Sequence, residues 1–191
     1  MAYHATGTMG SKLIFMPTDV KIIENALPIS LINDVVNHAK QQSLVRTNHT
    51  SWGPEVVGVS GPLYIIDLQG EFKQRIQDQL ILMLPEQELA NKSMAVSYNM
   101  SGRYSFIPWH DDGQYLFSIT IYLNPEWDEN WAGHFIYKKK DSDELIALLP
   151  KFNRAVCFEP PLQHYVAMPN VNAPLRCTLQ IFFSAKESSA A

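Results

Sequence analysis

The sequence is poor in several features that mark whole classes of protein. It has only two cysteines, Cys157 and Cys177, each set inside an apolar run. Two such thiols give no zinc-type spacing and read as reduced packing residues of a cytoplasmic protein. No apolar stretch approaches the ~18 residues that a membrane span needs. The opening segment MAYHATGTMGSK has no charged region followed by an apolar core, so no secretory signal is expected. Charge of one sign is also lacking: 15 basic against 19 acidic side chains leave a net −4. The one basic run, Lys138 to Lys140, is followed at once by Asp141 and Asp143. A nucleic-acid groove needs a concentrated basic stripe, so neither nucleic acid nor membrane is an expected partner. Internal repeats, low-complexity tracts and long linkers are missing too.

What is present is an ordinary globular composition, 46% apolar and 18% charged over 191 residues. That length fits one domain with a sizeable core. We expect a single domain over 1–191, with a helical and mixed support region over 1–93 and a β core over 94–184. In the support region VKIIENAL reads as a strand. SLINDVVNHAKQQ reads as a helix with Ser30 as N-cap and Leu31, Ile32, Val35 and Val36 on its apolar face. EFKQRIQDQLILML reads as a second helix, with Phe72, Ile76, Leu80 and Met83 on one side and Pro85 beyond its end. TSWGPEVVGVSGP between them reads as a loop, and its Trp52 could line a pocket or pin the loop.

From Met94 the texture turns to β. The runs MAVSYNM, LFSITIYL, HFIYKK, ELIALLP, RAVCFEP, HYVAMP and RCTLQIFFSA alternate with period two between Gly, Pro, Asn and Asp,. Short strands at this spacing predict a mainly β, jelly-roll fold buttressed by the N-terminal helices.

Three ambiguous features lie in that β region. His110 and Asp112 are one residue apart; at the start of a strand they would project to one side, with Asp111 facing the other. Such a pair equally well just ends a strand. His164 follows a Pro-Pro turn and opens a short strand, and by itself it could be a satisfied edge histidine. Two histidines and one carboxylate are also the facial triad of non-haem Fe(II) oxygenases. Arg176 and Thr178 share a face of the otherwise apolar last strand. A buried arginine needs a counter-anion: either Glu159, or a bound carboxylate gripped in bidentate fashion.

Taken in order, His110-x-Asp112, His164 and Arg176-x-Thr178 resemble the 2-oxoglutarate and Fe(II)-dependent dioxygenases, the prolyl 4-hydroxylase-like branch in particular. YNMSGRYSFIPWHDD resembles that branch's Tyr and Gly upstream of the His-x-Asp pair. In IYLNPEWDENWAGHFIYKK, Ala132-Gly133 stands where the branch has a double glycine. LLPKFNRAVCFEPPLQHYVAMP resembles the strand that ends before the distal histidine. The resemblance covers residues 94–184. It implies a double-stranded β-helix, cupin-like in outline, holding iron through His110, Asp112 and His164. It also implies that Arg176 binds the distal carboxylate of 2-oxoglutarate, helped by Thr178 and the hydroxyl of Tyr98. The cofactors implied are Fe(II), 2-oxoglutarate and O2, with ascorbate as a candidate auxiliary. The expected activity is hydroxylation of an unactivated C–H bond in an amino acid, a peptide or protein residue, or a natural-product intermediate.

The competing reading is a cupin-type metal- or ligand-binding protein without oxygenase chemistry. It is disfavoured because the chain has no His-x-His pair and because such a protein has no need of Arg176. Trp127 and Trp131, in the acidic loop NPEWDENWAG, could form a substrate lid or pin the loop to the sheet. His134 could orient substrate or hold a structural partner, and Tyr104 could share the pocket or the core. His4, His38 and His49 have no motif context and are expected at the surface.

Overall fold

The computed structural model describes residues 13–14, 20–42, 45–47 and 63–186. Its element order is β1 (Leu13–Ile14), β2 (Val20–Ile23), α1 (Ile29–Gln41), β3 (Val45–Thr47), β4 (Leu63–Asp67), α2 (Gly70–Met83) and β5 (Lys92–Ser101). Then come β6 (Ile107–His110), β7 (Phe117–Tyr122), β8 (Phe135–Lys138), β9 (Leu145–Leu148), β10 (Ala155–Phe158), β11 (His164–Val166) and β12 (Arg176–Ala185). The segment TSWGPEVVGVSGP, with Trp52, and the histidines His4 and His49 lie outside the described residues.

Two antiparallel sheets face each other. The larger runs β1-β2-β10-β7-β12-β5-β4-β3, and the smaller runs β6-β11-β8-β9. The pairings β10-β7, β7-β12, β12-β5, β6-β11 and β11-β8 join strands far apart in the chain, the mark of a double-stranded β-helix. The N-terminal region supplies four strands to the larger sheet as well as both helices.

Side-chain alternation divides the larger sheet cleanly. Ile119 and Ile121 of β7 and Leu179, Ile181 and Phe183 of β12 face the helices. There they pack with Leu31 and Val35 of α1 and Ile76 and Leu80 of α2. The opposite face carries Ser118, Thr120 and Tyr122 on β7 and Arg176, Thr178 and Gln180 on β12. Toward the smaller sheet, Tyr122, Val156 and Phe158 join Phe135, Tyr137 and Val166 in a second apolar cluster. One sheet therefore separates an apolar helix layer from a more polar interior.

The expected apolar faces of both helices hold at their centres, with Leu31, Ile32, Val35 and Ala39 buried in α1 and Ile76 and Leu80 in α2. Ser30 is not the cap of α1: Pro28 occupies that position and no side chain caps the helix. His38 is half-buried, its ring 4.7 Å from that of Phe72. Asn153 ties the N-terminal segment to the sheet from a left-handed backbone conformation, φ 56°. Its Oδ1 accepts from Leu27 N at 2.9 Å, and its Nδ2 donates to Leu27 O at 2.8 Å. Four strands were not legible as runs: β1, β3, β4 and β6. The last of these carries the site.

Candidate metal and cosubstrate site

β6 and β11 pair antiparallel with His110 directly opposite His164. This register sets the two imidazoles side by side, ring centroids 3.9 Å apart. Each ring is oriented by a main-chain carbonyl two residues earlier: His110 Nδ1 meets Pro108 O at 2.7 Å, and His164 Nδ1 meets Leu162 O at 2.7 Å. With Nδ1 engaged as a donor, Nε2 of each ring keeps its lone pair for a ligand.

Asp112 comes to the same point by a different route from the one its spacing predicts. His110 ends β6, and Asp112 lies beyond it in a turn with φ 57°, closed by Tyr115 N donating to Asp112 O at 2.9 Å. The turn, and not strand alternation, brings carboxylate and imidazole together. Asp112 Oδ1 lies 3.6 Å from His110 Nε2, and Oδ2 lies 3.8 Å from His164 Nε2. One ligand atom from each of the three residues falls within 4.8 Å of the others. The buried Ser118 of β7 donates to Asp112 Oδ2 at 3.2 Å. Asp111 is turned aside, accepting from Gly113 N at 2.9 Å and Gln163 Nε2 at 3.3 Å.

The electrostatics suit a dication. Burial pushes the Asp112 carboxyl above its usual range, while the nearby His110 and the Ser118 hydrogen bond oppose the shift. Burial, reinforced by His110, holds His164 down to about 3, so its imidazole is neutral. A buried carboxylate between imidazoles of this kind lacks a positive partner, and a divalent metal supplies one.

The triad opens onto a cavity of about 530 Å³ lined on its far wall by Arg176, Thr178, Thr120, Gln180 and Asn99, within the ~300–1,000 Å³ usual for small-molecule sites. Arg176 is 5% exposed, and its guanidinium carbon lies 5.1 Å from the centre of the Tyr122 ring. Arg176 Nε and the Tyr122 hydroxyl are both buried without a hydrogen-bond partner. Among the described residues no carboxylate pairs with Arg176. Glu159, the structural alternative, instead accepts from Gln87 at 3.1 Å. A donor set of buried guanidinium, phenol and threonine hydroxyl fits an anionic oxygen acid.

Tyr98 is placed differently from the expectation. It lies on the helix-facing side of β5 with Val96 and Met100, because in that strand the odd positions Ser97, Asn99 and Ser101 face the cavity. The phenol beside Arg176 is Tyr122, which sequence reading missed. Its signal was there: Ser118, Thr120 and Tyr122 recur at every second position of an apolar strand. Neither Trp127 nor Trp131 lines the cavity. Their rings meet edge to face at 5.7 Å, and Trp127 Nε1 donates to Ala132 O at 2.9 Å. His134 does not line the cavity either, and Tyr104 is 65% exposed, in neither pocket nor core.

Two histidines and one carboxylate on a double-stranded β-helix, with coordination positions left open and a buried cation at the end of the cavity, define a non-haem metal oxygenase fold and site. Residues 94–184 match the family described as the 2OG-Fe(II) oxygenase superfamily. That match spans the β core, and the family it names together with the triad implies Fe(II) and 2-oxoglutarate as cofactors. No curated protein sequence matches the chain. Solved structures resemble it in fold. One is a Pseudomonas putida prolyl-4-hydroxylase, 16% identical over 90% of this chain and 95% of that one, with TM-score 0.69. Another is a Trichoplax adhaerens prolyl hydroxylase in complex with a hypoxia inducible factor peptide, 14% identical over 89% and 85%, with TM-score 0.69. A third is HygX from Streptomyces hygroscopicus with nickel and 2-oxoglutarate bound, 9% identical over 88% and 84%, with TM-score 0.64. No helix among the described residues is long and apolar enough to cross a membrane.

Proposed function

We propose that the protein is an Fe(II)- and 2-oxoglutarate-dependent hydroxylase acting on an unactivated C–H bond of an amino acid, a peptide or protein residue, or a natural-product intermediate. The observation that carries this reading is a cavity lined by both the triad and the buried Arg176, whose Nε has no partner. His110, Asp112 and His164 would hold the metal. Arg176 and Thr178, which line the cavity, would hold the far carboxylate of the cosubstrate, with Tyr122 packed behind Arg176. When bound, iron and 2-oxoglutarate use O2 to oxidise a C–H bond while the cosubstrate is decarboxylated to succinate. The chain's own contribution is positional. The carbonyls of Pro108 and Leu162 fix the imidazole orientations, and Ser118 fixes the Asp112 carboxylate. The burial of Asp112 and His164 limits the contact of bulk water with the reacting atoms,.

Trp127 and Trp131 would act here by bracing the Arg176 end of the barrel. A Cβ built on Gly133 would lie 2.9 Å from Trp127 Cζ2 and 3.4 Å from Arg176 Cδ, so indole and arginine pack against the same glycine. The free thiols Cys157 and Cys177 fit a cytoplasmic setting.

The test is anaerobic titration of Fe(II) with and without 2-oxoglutarate, following the weak visible charge-transfer band of the chelated complex. Wild type should develop the band, and a variant with both His110→Ala and Asp112→Ala should not. A wild type without the band, or a band that survives in the double variant, would defeat the iron assignment.

A further inference from the structure

With the metal and the cosubstrate in place, the cavity keeps a charge that neither accounts for. Its ionisable side chains are Asp67, His110, Asp111, Asp112, His164 and Arg176. A divalent metal, the Asp112 carboxylate, the Arg176 guanidinium and the 2-oxoglutarate dianion cancel one another, with the imidazoles as neutral ligands. Asp67 and Asp111 are left over. Asp111 accepts from Gly113 N and Gln163 Nε2, both neutral donors, so its charge stays uncompensated. Among the described residues no cation pairs with Asp67. The loaded cavity is therefore acidic.

Strand register gives Asp67 a defined place in it. The cavity side of β5 carries Ala95, Ser97, Asn99 and Ser101, all short side chains, so β5 forms the floor of a trough. Asp67 of β4 stands opposite Ser97 on one side. Gln180 and Phe182 of β12 stand opposite Ser97 and Ala95 on the other. These walls are two strand spacings apart, about 10 Å between backbones. The Phe182 ring is stacked on that of Tyr115, centroids 4.1 Å apart and planes 18° from parallel, and both rings line the cavity. Phe182 also pairs with Ser118, whose hydroxyl holds Asp112, so this end of the trough adjoins the metal ligands.

Ala95 is exposed and leaves the space between Asp67 and the two rings open. A group lying on Ala95 has a carboxylate on one side and aromatic rings on the other. Those surroundings attract a cationic nitrogen through charge pairing and cation–π contact, and they repel a carboxylate. The remaining cavity residues of β4, Leu63 and Ile65, bring no side-chain donor to Asp67.

We propose that Asp67 determines specificity, and that the substrate carries a cationic nitrogen, an ammonium or guanidinium group, which lies in the trough between Asp67 and the Tyr115–Phe182 rings. The inference rests on the iron and 2-oxoglutarate reading above. To test it, protein loaded with Mn(II) and 2-oxoglutarate is titrated with two matched pairs of probes: n-pentylammonium against 1-pentanol, and n-butylguanidinium against n-butylurea. Paramagnetic broadening of the probe's own NMR lines reports binding close to the metal, and binding elsewhere on the surface leaves them sharp. At least one cation should be broadened and should bind roughly tenfold more tightly than its neutral partner, the combined worth of an ion pair and a cation–π contact. Asp67→Asn should weaken binding of that cation about three- to fivefold and leave the neutral partner unchanged. Its 2-oxoglutarate affinity, measured separately, should match wild type. Glu129→Gln, an acid outside the cavity lining, should keep the full preference. Neutral probes that bind as tightly as the cations overturn the proposal, as does a set of four that shows no broadening. A preference unchanged in Asp67→Asn, or lost equally in Glu129→Gln, overturns it as well. Failure of wild type to bind metal and 2-oxoglutarate at all defeats the underlying reading instead.

Discussion

The guanidinium of Arg176 lies over the ring of Tyr122, 5.1 Å from its centre, with Arg176 Nε and the Tyr122 hydroxyl both buried and unpartnered. A buried cation whose nearest companion is a π face is stabilised by cation–π attraction of about 2 kcal/mol, well short of its desolvation cost. The deficit disappears when a carboxylate binds. Arg176→Met should therefore weaken 2-oxoglutarate binding roughly 10- to 100-fold, the worth of one or two charge-assisted hydrogen bonds. Ligand-free Arg176→Met should unfold within about 1 kcal/mol of wild type. A saturating cosubstrate adds about 2.7 kcal/mol at a hundredfold excess over Kd, and only wild type should gain it in thermal melts. Parallel stabilisation of both proteins would make Arg176 a structural residue.

Ser118 offers a second, independent reading of the metal site. Its hydroxyl, on β7, donates to Asp112 Oδ2 at 3.2 Å. Hydrogen-bonding partners of a metal ligand typically change metal affinity by about 10- to 100-fold when removed. Ser118→Ala should lower Fe(II) or Mn(II) affinity by that factor, with the fold retained because the change removes one buried oxygen. Isothermal titration against wild type measures it. An unchanged affinity would mean that Asp112 is oriented by its turn alone.

The backbone at Ala132-Gly133 carries strain that a substitution can relieve. Ala132 has φ 57° and ψ −134°, a region open almost only to glycine, and occupancy by alanine costs about 1–3 kcal/mol. Ala132→Gly should raise stability by about 1 kcal/mol after the extra chain entropy of glycine is deducted. Gly133→Ala should act the other way. Its φ is 72° and its Cβ would meet Trp127 Cζ2 at 2.9 Å, so a loss of about 1–3 kcal/mol is expected. Urea midpoints distinguish the two, and equal signs for both would refute the strain assignment.

These cases also show which parts of the molecule the sequence exposed. The strands that carry Arg176, His164 and the helix-facing isoleucines were legible because their alternation is strict and both faces are specified. Thr178 could be placed beside Arg176 by parity alone. The Tyr98 role came with the family resemblance; the alternation of MAVSYNMS itself sets Tyr98 with Met94, Val96 and Met100, the set that packs against the helices. β6 was hidden because Ile107–His110 is short, contains a proline and lies at a sheet edge, where neither face is continuously apolar. The convergence of His110 and Asp112 was foreseen, but its cause was not. A left-handed aspartate in a turn has no periodic signature, and side-chain polarity alone cannot announce it.

The same burial that makes the helix-facing core apolar predicts an alkaline limit to stability. Burial pushes the Cys157 thiol from its ordinary 9.0 to about 12, only partly opposed by Lys21. Tyr98, Tyr122 and Cys177 are pushed up as well, each chiefly by burial. Between about pH 9 and pH 12 the native state still holds the Cys157 proton that the unfolded chain has released. The native state then binds more protons than the unfolded one, so stability falls as pH rises. The contribution is fully present below pH 9 and is lost at about 1.4 kcal/mol per pH unit above it. The tyrosines join only above about pH 10. Urea midpoints at pH 8, 9 and 10 should therefore fall progressively for wild type. In Cys157→Ala the step from pH 9 to pH 10 should flatten, because this thiol accounts for much of it. An identical decline in both proteins would show that Cys157 does not control the alkaline transition.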